Sequence, residues 1–536
     1  MPKPHPAGEP IAKQLGDSWP VDTPGGRYYA EFDDESPVTR EGQLIFFAQF
    51  LRVGGRWERF VSHCPLSYEG NRGSRVVDVL GTATLSVLCG HWRYAHINAV
   101  RGDTLNPGLL GMSTTVSEDV VRRAMKRMEE DKGLAWLGGE LRACVQPVLN
   151  QSWILDIDVT VKPIYGHQQG AQVGYNPHKP GRPSHCYHSY FMANTRLCLG
   201  VEVLGGKEHA ARHALPGLWH LLEELPRTHW PTILRGDCGY GNEALLKEAE
   251  KRGLPCLFKL RHTNKVKTLV SQMQRAGAAW EDSGQGWEVL EATLRLSGWS
   301  LARRVVLVRE KPALAPAGEQ GRRRRDHLQA GLPGSAQWKN VLAPWAGRMA
   351  VLVTTLDAKA YPAVALARLY RERADAENIY DELKNQWGWN GFTTQKLAPC
   401  RLMANLVALI YNWWHLYVRL YDGDHHREAI TSRPAFEWGG SAGRSSKPTQ
   451  NQSQLAARKQ SGARTGYRPS QQHFTTLLAH RGALERPATV EFAIDSYFSP
   501  LARWQMAWHA PAGGRITPLG LRSPRSQRLS LLKTVG

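Results

Sequence analysis

The clearest periodicity in the chain lies in "SWILDIDVTVKPIYG", where polar and apolar positions alternate. Ile154, Asp156, Asp158 and Thr160 share one face, while Trp153, Leu155, Ile157, Val159 and Val161 share the other. That period of two predicts a strand with one buried face. "YHSYFMANTRLCLGVEVL" reads as two more strands around a turn at Asn194–Thr195. "HAARHALPGLWHLLEEL" has helical spacing, with Pro216 expected to interrupt or kink it. "PTILRGDCGYG" is a short strand, "NEALLKEAEKRG" a capped helix and "LPCLFKLR" a further strand. The predicted order is strand, strand, strand, helix, strand, helix, strand. From about 262 to 345 the pattern is irregular and β-like, as in "GWEVLEATLRLSGWSLARRVVLVRE". "MAVLVTTLD" then predicts a strand, and "YPAVALARLYRERADAENIYDELKNQW" one long helix.

The flanks read differently. Residues 1–40 are rich in Pro, Gly and charge and are expected to form a flexible arm. From 41 to 150 the pattern is helical, including "SEDVVRRAMKRMEED" with Ser117 as N-cap and Glu118 and Asp119 in the first turn. "LAPCRLMANLVALIYNWWHLYVRL", from Leu397, is strongly apolar but includes Arg401, Asn405, Asn412, His415 and Arg419. It therefore predicts a buried helix and not a membrane span. Beyond about Gly423 the chain turns rich in Ser, Gln, Gly and Arg, the composition of a linker. A C-terminal dimer contact within 426–536 is a further expectation.

Composition changes the picture in one respect. Lys plus Arg total 68 against 48 acids, so the formal charge is 68 − 48 = +20. An excess of that size points to a polyanionic partner, most simply nucleic acid. The helix from Ser117 offers Arg122, Arg123, Lys126 and Arg127 as a basic stripe; it suits a recognition helix or, equally, a solvated charged face. The eight cysteines are scattered without a C-x-x-C pair, which argues against a zinc ribbon and suits a reducing cytoplasm. The start "MPKPHPAGEP" lacks the apolar core of a signal peptide. His178, His185 and His188 fall close together with Cys186 as the single nearby thiol; phosphate contacts or plain surface suit them better than zinc.

Three carboxylates stand out: Asp158 in the first strand, Asp237 at the end of the fourth and Glu377 in the late helix. Two acids on adjacent strands and one on a helix packed against them can converge on a pair of divalent cations. Asp156 rivals Asp158, because it shares that strand face. In the late helix, Tyr370, Arg373, Glu377, Asp381 and Lys384 return to one face, opposite Ala376, Ile379, Leu383 and Trp387. An ordinary amphipathic surface helix with an i,i+4 Arg373–Glu377 pair explains much of this pattern. It does not require Tyr370 or Lys384.

"DVT" in the first strand, "RGDCGYGNEALL" after the fourth and Y-x2-R-x3-E-x6-K in the late helix together resemble the DDE transposases of bacterial insertion sequences. The branch most similar is the cut-and-paste group with the Tyr-Arg-Glu-Lys signature, over roughly Trp153 to Leu420. "GYNPHKPGRPSHCYHSYF" further resembles a subgroup. The resemblance implies an α/β, ribonuclease-H-like mixed sheet flanked by helices over 151–425. A β-rich insertion at 262–345 would interrupt it, and a helical DNA-binding domain would precede it at 41–150. It implies that Asp158, Asp237 and Glu377 form a metal-binding catalytic triad for Mg²⁺, with Mn²⁺ as a substitute, and favours Asp158 over Asp156. Tyr370, Arg373 and Lys384 become contacts to DNA phosphate, and Trp345 and Trp299 candidates for stacking on a flipped base. The implied activity is binding of terminal inverted repeats, cleavage of the transposon ends and transfer of 3′-ends into target DNA. A homodimer on double-stranded DNA in the cytoplasm, with no membrane, completes the expectation. The alternatives are a ribonuclease-H-like nuclease or resolvase without strand transfer, and a non-catalytic DNA-binding regulator.

Overall fold

The computed structural model describes residues 19–32, 44–68, 73–103, 105–176, 178–208, 211–311, 349–422, 426–436, 455–459 and 464–468. It divides into two compact units. One takes the described residues of 1–148, 382–394 and 398–536; the other takes 149–381 and 395–397.

The first unit opens with a hairpin, β1 (Trp19–Thr23) and β2 (Gly26–Phe32), inside the stretch expected to be a flexible arm. Six helices follow: α1 (Leu44–Val53), α2 (Arg56–Ser62), α3 (Val76–Leu88), α4 (Asn106–Leu109), α5 (Glu118–Arg127) and α6 (Glu130–Val145). The Ser117 hydroxyl accepts from the Val120 amide at 3.4 Å, so the N-cap forms as its sequence predicts.

The second unit is built on one ten-stranded mixed sheet. Its strands are β3 (Ile154–Pro163), β4 (Gln172–Val173), β5 (Pro183–Met192), β6 (Leu197–Gly205), β7 (Ile233–Gly236), β8 (Cys256–Lys259), β9 (Glu281–Gly284), β10 (Trp287–Leu294), β11 (Arg303–Glu310) and β12 (Met349–Thr354). The spatial order is β4-β5-β3-β7-β8-β12-β11-β10-β9, with β6 on β5. Strands β3, β7 and β8 are parallel; the other pairs are antiparallel. The β-like stretch expected as an insertion contributes β9, β10 and β11, which extend this same sheet. The continuous apolar run in "RRVVLVRE" buries Val305 through Val308 on both faces and lets β11 continue the β12 edge.

Helices α7 (Ala211–Glu223), α8 (Glu243–Lys251), α9 (Asn264–Arg275) and α10 (Ala363–Arg371) flank the sheet strands in the chain. Pro216 does not stop α7: it sits exposed in the second turn and removes one backbone donor from an otherwise continuous helix. Helix α10 buries Leu366 and Ala367 in a cluster with Ile233, Leu257, Val306 and Leu352. The predicted single helix over Tyr361–Trp387 is broken: α10 ends at Arg371, and α11 (Ala374–Asn385) begins three residues later. At the break the Arg373 amide bonds the Tyr370 carbonyl at 3.1 Å, a tightened turn, while the Arg373 side chain is committed to the sheet.

The chain ends its described part in α12 (Leu397–Asp422) and α13 (Ala429–Phe436), followed by two short strands, Leu455–Lys459, which pairs with β2, and Arg464–Arg468, which pairs with Leu455–Lys459. Within the first unit Phe47 and Phe50 of α1 meet Tyr417 of α12 with ring centroids 5.3 and 5.8 Å apart, and Phe60 of α2 meets Trp413 at 5.1 Å. Helix α12 is thus buried as expected, and α1 and α2 pack against it. Among the described residues, no helix is long and apolar enough to cross a membrane.

Candidate active site

Two strands carry the same spacing. Asp156 and Asp158 lie two apart on β3, and Arg235 and Asp237 lie two apart at the end of β7. The strands pair in parallel with Asp156 opposite Arg235 and Ile157 opposite Gly236. The next step brings Asp158 and Asp237 side by side where β7 ends. A Cβ on Gly236 would lie 3.1 Å from both Ile157 and Tyr240, and 3.2 Å from Phe258, so the bare backbone permits this close packing.

The pairing separates the two acids of β3. Asp156 holds Arg235 through two contacts of 2.6 and 2.7 Å, and Arg235, only 2% exposed, also donates to the Leu369 carbonyl. That carboxylate is consumed by a buried bidentate pair that ties β3 to β7 and α10. Asp158 stays at the edge of the site. Its Oδ1 accepts from the Val159 amide at 2.7 Å and its Oδ2 from Arg373 at 2.5 Å.

Burial raises the Asp158 carboxyl to about 6; Arg373 pulls it down and Asp237 pushes it up. Burial also opposes the charge on Arg373, but Asp158 first, with Asp156 and Asp237, holds the guanidinium protonated above its usual range. Asp237 is half-buried and accepts the Gly239 amide at 2.8 Å through Oδ1, an Asx-type turn that fixes the carboxylate. Tyr370 reaches the Gly236 carbonyl with its hydroxyl at 3.4 Å, and burial raises its pKa well above the phenol range.

Helix α11 is anchored at both ends of the turn that carries Glu377. Arg373 immediately precedes it and holds Asp158. Tyr380 donates to or accepts from Ser189 at 2.6 Å, and Ser189 is the cross-strand partner of Asp158 on β5. The backbone of Glu377 lies between these two anchors, one turn before Tyr380; its side chain is outside the described residues. Lys384 is half-buried in the last turn of α11.

Other expected positions are placed as follows. Arg373 is 6% exposed, so the structure spends it on Asp158 and not on an outward phosphate-facing surface. On α5, Arg122 pairs with Glu118 at 3.3 Å and lies over the Tyr94 ring, and Arg123 pairs with Asp119 at 2.9 Å. Lys126 and Arg127 are exposed, Arg127 over the Tyr68 ring. Trp299 is 6% exposed with the Arg303 guanidinium against its ring, which places it in the packed interior and not at an open stacking face. Trp345 lies outside the described residues. His185 and His188 are not surface groups: both are buried on β5, bonded to the carbonyls of Gln169 at 2.9 Å and Glu208 at 2.7 Å. His178 is exposed.

The sequence reading missed Arg235, Tyr240, Ser189 and Tyr380. Arg235 had a signal, since an arginine inside an apolar strand two residues before Asp237 matches Asp156 two before Asp158. Tyr380 had none, because its partner Ser189 lies 191 residues away in the chain.

The donors at β3 and β7 are oxygens alone, and two carboxylates share one arginine, which leaves negative charge for a hard cation to compensate. That donor set fits Mg²⁺ or Mn²⁺.

The family model for the transposase DDE domain matches residues 149–413. No curated protein sequence matches the chain. Among solved structures, the chain is similar to a piggyBac transposase in a synaptic complex with hairpin DNA, at 11% identity over 92% of each chain. The TM-score of that likeness is 0.38, too low to carry weight. With a DDE domain matched across both aspartates and the helix of Glu377, the comparison supports a DDE-type transposase.

Proposed function

We propose that this protein is an insertion-sequence transposase of the Tyr-Arg-Glu-Lys group, with a ribonuclease-H-like catalytic core. In this reading it binds terminal inverted repeats, cleaves the transposon ends and joins the 3′-ends to target DNA. The observation that supports it most is the placement of Asp158, midway along β3, beside Asp237, just past the end of β7, with α11 anchored against them. Asp158, Asp237 and Glu377 would hold divalent cations, Mg²⁺ first. Such ions would supply activation of the attacking hydroxyl and compensation of charge at the leaving oxygen. The chain's own groups do the rest. Arg235 and Asp156 lock the two strands in register, and the Asp237 turn aims its carboxylate. Arg373 holds Asp158 in place. The exposed Lys126 and Arg127, with the overall excess of basic residues, suit the DNA backbone. Assembly as a homodimer on DNA belongs to the same reading.

The test is a plasmid carrying the inverted repeats that flank the gene, incubated with protein and Mg²⁺. Cleavage followed by strand-transfer products is expected from the wild type. Asp158→Ala, Asp237→Ala and Glu377→Ala should each abolish both while retaining end binding. Cleavage without joined products would favour a nuclease or resolvase, and binding without metal-dependent nicking a regulator.

A further inference from the structure

A second cluster of metal-ligating side chains lies in the first unit, away in sequence from Asp158 and Asp237. Glu382 of α11, His415 of α12 and His426, three residues before α13, bring one ligand atom each within 4.8 Å of one another. Glu382 is 0% exposed and His415 2% exposed. From this geometry we infer a zinc-class metal site formed by Glu382, His415 and His426.

Its inner contacts have the right scale. His415 Nε2 lies 3.2 Å from Glu382 Oε1, and His426 Nε2 lies 2.9 Å from Oε2. Ligand atoms about 2.0–2.1 Å from one tetrahedral zinc ion stand roughly 3.3 Å apart, so little movement separates this cluster from a bound state. One carboxylate oxygen is already held from behind. Oε1 accepts from Trp387 Nε1 at 2.9 Å and from the Ala429 amide at 3.0 Å, the outer-shell support that orients a ligating carboxylate. Oε2 points to His426. The two imidazoles stack at 4.5 Å with 17° between their planes, an arrangement that two charged rings would oppose. The Nδ1 of His426 is buried without a hydrogen-bond partner among the described residues, so its ring is fixed through Nε2 and the stack.

Two imidazoles with one carboxylate form a donor set for a borderline divalent ion, and three protein ligands leave the fourth corner to water. The ion would tie α11, α12 and the segment before α13 together.

The experiment uses the full chain. Metal-depleted protein is supplied with zinc, dialysed and analysed for bound metal, and a parallel sample is titrated with Co²⁺. About one zinc per chain is expected, with the intense visible absorption of tetrahedral cobalt on nitrogen ligands. His426→Ala, the least buried of the three, should weaken zinc binding tenfold or more, and Glu382→Gln should do the same. Asp158→Asn should leave both readouts unchanged, which separates this site from the proposed catalytic one. Wild-type protein that takes up no zinc and shows no cobalt band overturns the inference without requiring any variant. Full zinc retention in both His426→Ala and Glu382→Gln overturns it equally, leaving a hydrogen-bonded cluster.

Discussion

Asp158→Asn should make the metal-free protein more stable at neutral pH, and the gain should vanish in acid. Burial lifts the Asp158 carboxyl from 3.8 to about 6, so the folded state holds a proton more tightly than the unfolded chain. Below pH 4 both states are protonated and the folded state keeps its full stability. As pH rises from 4 to 6 the unfolded chain ionises first, and the fold loses stability until Asp158 itself has ionised. A rise of that size corresponds to about 3 kcal/mol. Asparagine keeps the shape and cannot ionise, so it mimics the protonated acid at every pH. Urea unfolding of both proteins in Mg²⁺-free buffer, followed by tryptophan fluorescence between pH 4.5 and 7.5, measures the difference. The variant should exceed the wild type by up to about 3 kcal/mol at pH 7.5 and converge with it toward pH 4.5. Mg²⁺ should then stabilise the wild type at pH 7.5 and leave the variant nearly unmoved. A variant less stable than the wild type at pH 7.5, or a difference that ignores pH, would show that Arg373 satisfies Asp158 and that no cation is needed there.

Asp156→Ala should cost about 3–5 kcal/mol in the same urea assay, because it strands the buried Arg235 guanidinium; a loss under 1 kcal/mol would make the pair dispensable. Gly236→Ala should cost about 1–3 kcal/mol, since its Cβ would crowd Ile157, Tyr240 and Phe258; an unchanged melting temperature would show that the strand end yields freely. Tyr380→Phe should cost about 1 kcal/mol through the lost bond to Ser189 and slow end cleavage by loosening α11, with both read from melting and cleavage time courses. Charge reversal at Lys126 and Arg127 in the full chain should weaken DNA binding in filter assays and flatten its salt dependence; unaltered salt slopes would take α5 off the DNA.

Much of the second unit was legible because its strands advertise themselves. Alternation in "ILDIDVTV" and the short apolar run before Gly236 depend on local pattern alone, and β3 and β7 appear where that pattern puts them. Length was harder to read. The helical period runs unbroken from Tyr361 to Trp387, yet the helix breaks at Arg373, because one buried contact to Asp158, 215 residues away, competes with continuing the helix. Periodicity cannot register a partner so distant. The same limit hid Glu382, His415 and His426, which lie on separate elements and carry no shared spacing. Nor could it register that Phe47, Phe50 and Phe60, in the helical region at 41–150, also pack against α12.

The identical two-residue spacing on β3 and β7 shows how the fold divides one motif into two tasks. In a strand, residues two apart point to the same face. Asp156 and Arg235 therefore face the same way as Asp158 and Asp237, one step deeper along each strand. At the deeper step an acid meets a base and the pair is sealed, with Arg235 2% exposed. At the outer step an acid meets an acid, and the strand ends, so the charge is left unbalanced at the edge where solvent and ligands arrive. The buried pair fixes register to within a residue, and a slip of one would turn both outer carboxylates away from the site. Structural and candidate catalytic acids thus differ by what the neighbouring strand sets opposite them, not by residue type or exposure pattern in the sequence. The pairing of Asp156 with Arg235 adds to what the sequence offered in favour of Asp158 as the candidate.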